Sequence, residues 1–161
     1  DSLRLLCRNR RVFQGNNLYS KGACYGMLER LHPGDEWKEY VYLGKDKLKS
    51  NIGLKALRCG EDSYYAVLDA GTNWYEAEAE FDIILEDGSS VEFVITPLTG
   101  GNVSARPVSL EGLPERPKRT TRLNVHIEMA AVDQAVITIE DRGFGELFPS
   151  SGKAWTQTVT V

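Results

Sequence analysis

Cysteine and histidine are scarce in this chain of 161 residues. The three cysteines, Cys7, Cys24 and Cys59, are odd in number and widely spaced, and no Cys-x-x-Cys pair occurs. Only His32 and His126 are available to join them, so a structural zinc site is not expected. We predict reduced thiols, two of them buried, as is typical of a cytoplasmic protein.

The chain also lacks long apolar runs and an excess of positive charge. No stretch approaches the roughly 18 apolar residues of a transmembrane helix, so no membrane contact is expected. The formal net charge is −4 and the pI is about 5.3, which argues against nucleic acid or an anionic membrane as the main partner. A domain of about 150 residues buries roughly two-thirds of its unfolded surface, so this chain needs no disulfide or metal to fold.

Motifs for catalysis and for cofactor binding are missing as well. No phosphate-binding Gly-rich loop occurs, and the serines in turn-like stretches have no histidine near them in sequence. The acidic pairs Glu86–Asp87 and Glu140–Asp141 have the composition of a glycosidase dyad, but both lie beside turns, where acidic residues are common. We predict a protein that is not an enzyme and that carries no cofactor.

The N-terminal part of the chain has a helical pattern. Ser2 is a suitable cap for a short first helix, and a second helix is predicted over LYSKGACYGMLERL, which begins at Leu18. Pro33 and Gly34 end it, and the charged segment that follows is predicted to be a linker, or a linker that pairs as a strand. Because the chain starts with Asp rather than Met, we expect it to be a piece of a longer protein.

Beyond the linker, apolar residues recur with a period of two, as they do in β-strands. Turn sequences such as Asp87–Gly88 separate the repeats, and no helical pattern intervenes. About eight short strands without helices predict a mainly β fold, an antiparallel β-sandwich with two short N-terminal helices. The candidate strands are residues 52–57, 64–69, 75–85, 90–96, 103–110, 122–129, 134–140 and 155–161.

The segment LEGLPERPKRTTRLNVHIEMAAVDQAVITIED, residues 110–141, joins two prolines, a group of positive charges and two alternating strands. It resembles the part of DnaK-type heat-shock chaperones in which a Leu-x-Gly-Ile-Pro elbow precedes two core strands. The positions that match are Leu110, Gly112, Leu113, Pro114 and Pro117 in the elbow, and Glu140 and Asp141 at the end. We therefore expect the elbow to carry the chain from one sheet to the other, with both prolines fixing the backbone.

The resemblance extends over nearly the whole chain in the same order. SNIGLKAL resembles the family's first sandwich strand, EFDIILEDGSSVEFVI its third and fourth strands, and WTQTVTV its closing strand. Upstream, NNLYSKGACYGML resembles the last helix of the family's actin-like ATPase domain. The resemblance thus implies a helical remnant of a preceding ATPase domain at residues 1–33, a linker at residues 34–49, and a substrate-binding β-sandwich at residues 50–161.

The chain departs from the family in three respects. The hairpin at residues 141–152 is longer than the family's usual turn, the linker is more charged, and neither the ATPase body nor the helical lid is represented. We therefore expect no ATP hydrolysis by this chain. The apolar face of its N-terminal helices is expected to pack on the sandwich, to associate with a second copy of the chain, or to stay loosely ordered.

The resemblance also implies a ligand. In the family, an extended peptide lies between the loop that joins strands one and two and the loop that joins strands three and four. The corresponding residues, predicted here to bind an extended apolar peptide or an unfolded protein segment, are Leu54, Leu57, Phe81, Ile84, Val91 and Phe93. Alternating apolar residues of a sandwich also form its core, and that alternative stays open.

Two functions from other classes stay open beside peptide binding. The first is a structural or docking module that holds an actin-like ATPase to an assembly, without peptide binding. The second is a carbohydrate-binding module, based on Trp74 and Tyr75 as a surface on which a sugar stacks.

Overall fold

The computed structural model describes residues 17–32 and 43–161. The chain divides into two compact units, Asp1–Val41 and Tyr42–Val161. The elements in the described ranges are the helix α1 (Leu18–Leu31), the strands β1 (Ser50–Arg58) and β2 (Glu61–Leu68), the short 3-10 helix η1 (Trp74–Glu76), and the strands β3 (Glu78–Leu85), β4 (Ser90–Pro97), β5 (Ser104–Ser109), β6 (Thr121–Ala131), β7 (Gln134–Gly143) and β8 (Ala154–Thr160).

Helix α1 confirms the predicted second helix. At its end the backbone N–H of His32 donates to the carbonyl oxygen of Leu28 at 2.9 Å. The large apolar side chains of α1, such as Tyr19, are mostly exposed among the described residues. The predicted first helix, which Ser2 was expected to cap, lies outside the described residues.

The eight strands form two antiparallel sheets of four strands each. The strand order is β2-β1-β4-β5 in the first sheet and β3-β6-β7-β8 in the second, which confirms the predicted mainly β, antiparallel fold. All eight predicted strands are present. One displacement has a clear cause: β3 begins at Glu78 rather than at residue 75, because Trp74–Glu76 forms a turn of 3-10 helix.

Both sheets contribute to one hydrophobic core. Alternation along each strand turns every second side chain inward, so the apolar residues of a strand share one face. Fully burying an aliphatic side chain of this kind stabilises the fold by about 1.5–3 kcal/mol. The most deeply buried of these residues are Ile52, Phe93 and Val108 from the first sheet, and Leu123, Val125, Ile127, Ile137 and Ile139 from the second.

The end of the predicted linker belongs to the β unit. Leu48 is fully buried in the core. Its backbone N–H donates to the carbonyl oxygen of Thr72 at 2.9 Å, and its own carbonyl accepts from the N–H of Gly71 at 2.8 Å. Lys47 forms an isolated β-bridge with Asn73. A single leucine among lysines carries no periodic signal, so the pattern did not indicate that Leu48 is buried.

The elbow, residues 110–120, carries the chain from β5 in the first sheet to β6 in the second, as predicted. Leu110 is fully buried at its start. Gly112 has a φ of +69°, a conformation that favours glycine. After Pro117 the chain turns sharply, because the N–H and the hydroxyl of Thr120 both donate to the carbonyl oxygen of Pro117, at 3.2 and 2.6 Å.

Candidate functional site

A groove opens between the β1–β2 hairpin and the segment in which β3 of the second sheet is followed by β4 of the first. Its volume is about 1040 Å³. One wall consists of the end of β1 and the start of β2, and the other consists of the end of β3, the β3–β4 loop and the start of β4. The groove therefore lies between the two loops that the sequence resemblance singled out.

Three of the residues predicted to bind a peptide form the floor of this groove. Leu54 and Val91 are buried and also belong to the hydrophobic core, and Phe81 is half-buried. Leu54 and Val91 belong to the first sheet and Phe81 to the second, so the floor spans the gap between the sheets. The rings of Tyr65 and Phe81 are 5.6 Å apart and tilted by 59°, a favourable aromatic contact that joins the two walls.

The other three predicted residues occupy different positions. Leu57 and Ile84 line the groove at its rim and are 47% and 54% exposed. Each shares the solvent side of its strand with a charged residue two positions earlier, because side chains alternate across a strand. Phe93 does not line the groove: it is fully buried and is a core residue.

Sequence reasoning missed two tyrosines of the groove. Tyr64 and Tyr65 both line it and are about half exposed. The ring of Tyr64 lies directly against Gly53, where an added Cβ would collide with the ring. Burial raises the pKa of Tyr64, although a hydrogen bond with Thr96 acts in the opposite direction. The adjacent aromatic pair at the start of a predicted strand was the signal that could have revealed them.

Each cation of the elbow pairs with one carboxylate. The Lys118 ammonium lies 2.9 Å from Oδ2 of Asp87. The Arg119 guanidinium donates from Nε and Nη2 to the two carboxylate oxygens of Glu86, at 2.6 and 2.9 Å. Both carboxylates belong to the β3–β4 loop, so the elbow is tied to one wall of the groove. Hydrogen bonds from these cations lower the pKa of Glu86 and of Asp87.

The third pair, Arg116 with Asp141, is buried. The side chains are 5% and 0% exposed, and the two guanidinium nitrogens Nη1 and Nη2 donate to the two carboxylate oxygens at 2.9 and 2.8 Å. Asp141 also accepts from the backbone N–H groups of Gly143 and Ser151, and Arg116 also donates to the carbonyl oxygen of Pro149 at 2.8 Å. The pair therefore fastens the elbow to the β7–β8 hairpin.

The environment of Asp141 predicts a specific dependence of stability on pH. Burial by itself would raise its pKa, but hydrogen bonds from Arg116, Ser151 and Gly143 outweigh burial and hold the pKa well below the ordinary value. A carboxylate with a lowered pKa stabilises the folded state fully above its unfolded pKa, about 3.9, and loses that contribution as the pH falls further.

We therefore expect the difference in unfolding free energy between the wild type and Asp141→Asn to shrink steadily as the pH falls from about 5 to about 2. The measurement is urea unfolding at each pH. Asp82→Asn, at an exposed carboxylate that accepts one hydrogen bond from Asn124, is the matched control. A constant difference for Asp141→Asn would mean that Asp141 does not titrate as the geometry requires.

Cys24 and Cys59 are free and exposed, so the prediction of two buried cysteines is wrong; Cys59 has a φ of +55° in the tight β1–β2 turn, which keeps it at the surface. Cys7 lies outside the described residues. The rings of Trp74 and Tyr75 are nearly perpendicular, at 84°, and form no flat platform for a sugar.

Residues 17–32 and 43–161 contain no cluster of three or more His, Cys, Asp and Glu side chains that could hold a metal ion. Over the same part of the chain, no helix has the length and apolar character needed to cross a bilayer.

Comparison with known proteins divides the chain near the same place as the structure. Residues 1–45 match the C-terminal model of a family of unknown function, DUF5716, and residues 47–161 match a domain of unknown function, DUF8552. No curated protein matches the chain. The second match begins at Lys47, where pairing with the β unit also begins. The chain belongs to the DUF8552 family, whose model covers both sheets and the groove.

Proposed function

We propose that this chain is the non-catalytic peptide-binding part of a cytoplasmic, DnaK-like chaperone protein. Its two sheets form a β-sandwich, and an extended apolar peptide lies in the groove between the β1–β2 and β3–β4 loops. The observation that carries this proposal is the groove itself, whose apolar floor and exposed apolar rim lie between the two loops that the resemblance implies. Exposed free thiols at Cys24 and Cys59 fit a reducing compartment.

The lining of the groove suits one buried aliphatic side chain of a peptide. Leu54 and Val91 form an apolar floor, and Leu57 of β1 and Ile84 of β3 flank it from the two sheets. Burying a leucine-sized side chain there contributes about 1.5–3 kcal/mol. Backbone hydrogen bonds to an extended peptide would make binding tolerant of sequence. Because ordering the peptide opposes association, we expect an affinity in the micromolar range or weaker, with rapid exchange.

The rim residues provide the first test. The variant Leu57→Ser should weaken binding of a fluorescein-labelled decapeptide with four consecutive leucines by about tenfold, since a loss of about 1.4 kcal/mol corresponds to that factor. Fluorescence anisotropy measures the affinity. Leu98→Ser is the matched control, because Leu98 is 45% exposed and does not line the groove. Equal affinities of the two variants would contradict the proposal.

The floor provides a second variant for the same test. Val91→Phe should fill the space that a peptide side chain occupies, at a cost in stability of about 1–3 kcal/mol for the added volume. Circular dichroism and urea unfolding establish that the variant is folded. If folded Val91→Phe keeps the wild-type affinity for the peptide, the groove is not the binding site.

The second candidate function is the structural or docking module of an actin-like ATPase assembly. The exposed apolar side chains of α1 favour it, because exposed apolar patches mark surfaces that associate. They are Leu18, Tyr19, Tyr25, Met27, Leu28 and Leu31. If the folded wild-type chain binds neither the leucine peptide nor other extended apolar peptides, peptide binding is ruled out and the docking module becomes the proposed function.

A further inference from the structure

The β3–β4 loop is held at both of its ends by the elbow. At the first end, the backbone N–H of Arg119 donates to the carbonyl oxygen of Glu86 at 3.2 Å, beside the bidentate pair of their side chains. At the second end, the N–H of Leu110 donates to the carbonyl oxygen of Ser89 at 2.8 Å. Between them, Lys118 pairs with Asp87. The position of this groove wall therefore depends on the position of the elbow.

The elbow is also held by the second sheet. The buried pair of Arg116 with Asp141 fastens it to β7, and the indole N–H of Trp155 donates to the carbonyl oxygen of Glu111 at 3.0 Å. Arg119 has a φ of +63°, a conformation that costs a non-glycine residue free energy and persists only where surrounding contacts enforce it. The hydrogen bonds between Arg119 and Glu86 hold Arg119 in this conformation.

The two sides of the elbow differ in their exposure to solvent. The side chains of Lys118 and Arg119 are 69% and 66% exposed, so dissolved salt screens their attraction to the loop. The pair of Arg116 with Asp141 is buried, and salt screens it much less. Raised ionic strength therefore loosens the loop from the elbow while the elbow stays fastened to the core.

We infer that the elbow is an electrostatic latch: Lys118 and Arg119 position the β3–β4 loop, and through that loop they set how long a bound peptide is retained. The effect on peptides rests on the proposed function, whereas the effect on the loop does not. Because Lys118 lies outside the groove lining, a change there acts on a ligand through the loop and not through a lost contact.

The latch is tested first without a ligand, by amide hydrogen exchange of residues 86–89 in the full chain. Lys118→Glu and Arg119→Glu should each accelerate exchange severalfold, and the paired exchange Glu86→Arg with Arg119→Glu should restore the wild-type rate. Raising the salt concentration should accelerate exchange in the wild type and have little further effect in the variants. Lys55→Glu is the matched control, because it reverses a charge whose partner is Glu92 of β4, at 3.9 Å, rather than a carboxylate of the β3–β4 loop. Unchanged exchange in Lys118→Glu and Arg119→Glu would overturn the latch.

The consequence for a ligand is tested with the labelled leucine decapeptide and stopped-flow displacement. Lys118→Glu should increase its dissociation rate severalfold. If the loop exchanges faster but the dissociation rate stays at the wild-type value, the latch does not control peptide retention and that part of the inference is wrong. A wild-type chain that binds no peptide would overturn the proposed function, and hydrogen exchange alone would then decide whether the latch exists.

Discussion

Replacing Arg116 with alanine is expected to lower the free energy of unfolding by about 3–5 kcal/mol, the largest effect of any single change at the elbow. The reason is the burial of its partner. Asp141 is 0% exposed, and without the guanidinium it would be either a buried charge with no counter-ion or a carboxyl group forced to take up a proton. Urea unfolding followed by circular dichroism measures the change.

Two further variants distinguish the loss of a buried charge pair from the loss of packing. Arg116→Lys keeps the positive charge but cannot donate from two nitrogens in a fixed plane, so its stability should lie between those of the wild type and Arg116→Ala. Arg119→Ala removes a bidentate pair that is exposed and should change stability little. If Arg116→Ala and Arg119→Ala cost the same, burial does not determine the energy of these pairs.

Phe93→Ala is expected to destabilise the chain by a similar amount, about 3–5 kcal/mol. Phe93 is among the largest fully buried side chains and lies in the core shared by both sheets. Removing the ring leaves a cavity in the core. Strands β1 and β5, on either side of β4, cannot move to fill it without breaking their backbone hydrogen bonds to β4. Urea unfolding gives the free energy of unfolding, and Leu98→Ala, at an exposed leucine just after β4, is the control.

The same variant decides what Phe93 does. As a core residue it should affect peptide affinity only through the folded fraction, so the affinity corrected for unfolded chain should equal that of the wild type. A stable Phe93→Ala variant with weakened peptide binding would instead mean that Phe93 contacts the peptide, as the sequence resemblance implies.

The strands could be predicted because the sequence pattern that marks a strand lies within the strand and its flanking turns. Period-two alternation, as in Leu123, Val125 and Ile127, together with Gly-containing turns, marks each strand without knowledge of its neighbours. The elbow was predictable from its prolines and its resemblance to a known segment. The burial of Leu48 could not be predicted, because one apolar residue in a charged segment forms no periodic pattern. Its burial depends on contacts with a turn more than twenty residues later.

The site was only partly predictable for the same physical reason. Alternation shows that Leu57 and Ile84 lie on apolar strands, but it does not show which residues reach the rim and which, like Phe93, turn into the core. The partner of Arg116 lies 25 residues away along the chain. The elbow and β7 come together only in the folded chain, so spacing in the sequence does not reveal the pair.

The strand order has a consequence for synthesis on the ribosome. Strand β3 leaves the ribosome after β2 but belongs to the other sheet, and its partner β6 follows only after β4 and β5. While the nascent chain grows, the apolar side of β3 has no sheet to join. Its opposite side carries Glu78, Glu80 and Asp82, and like charges of this kind oppose edge-to-edge pairing between neighbouring nascent chains. We therefore expect those carboxylates to oppose aggregation of the newly made chain until β6 is translated.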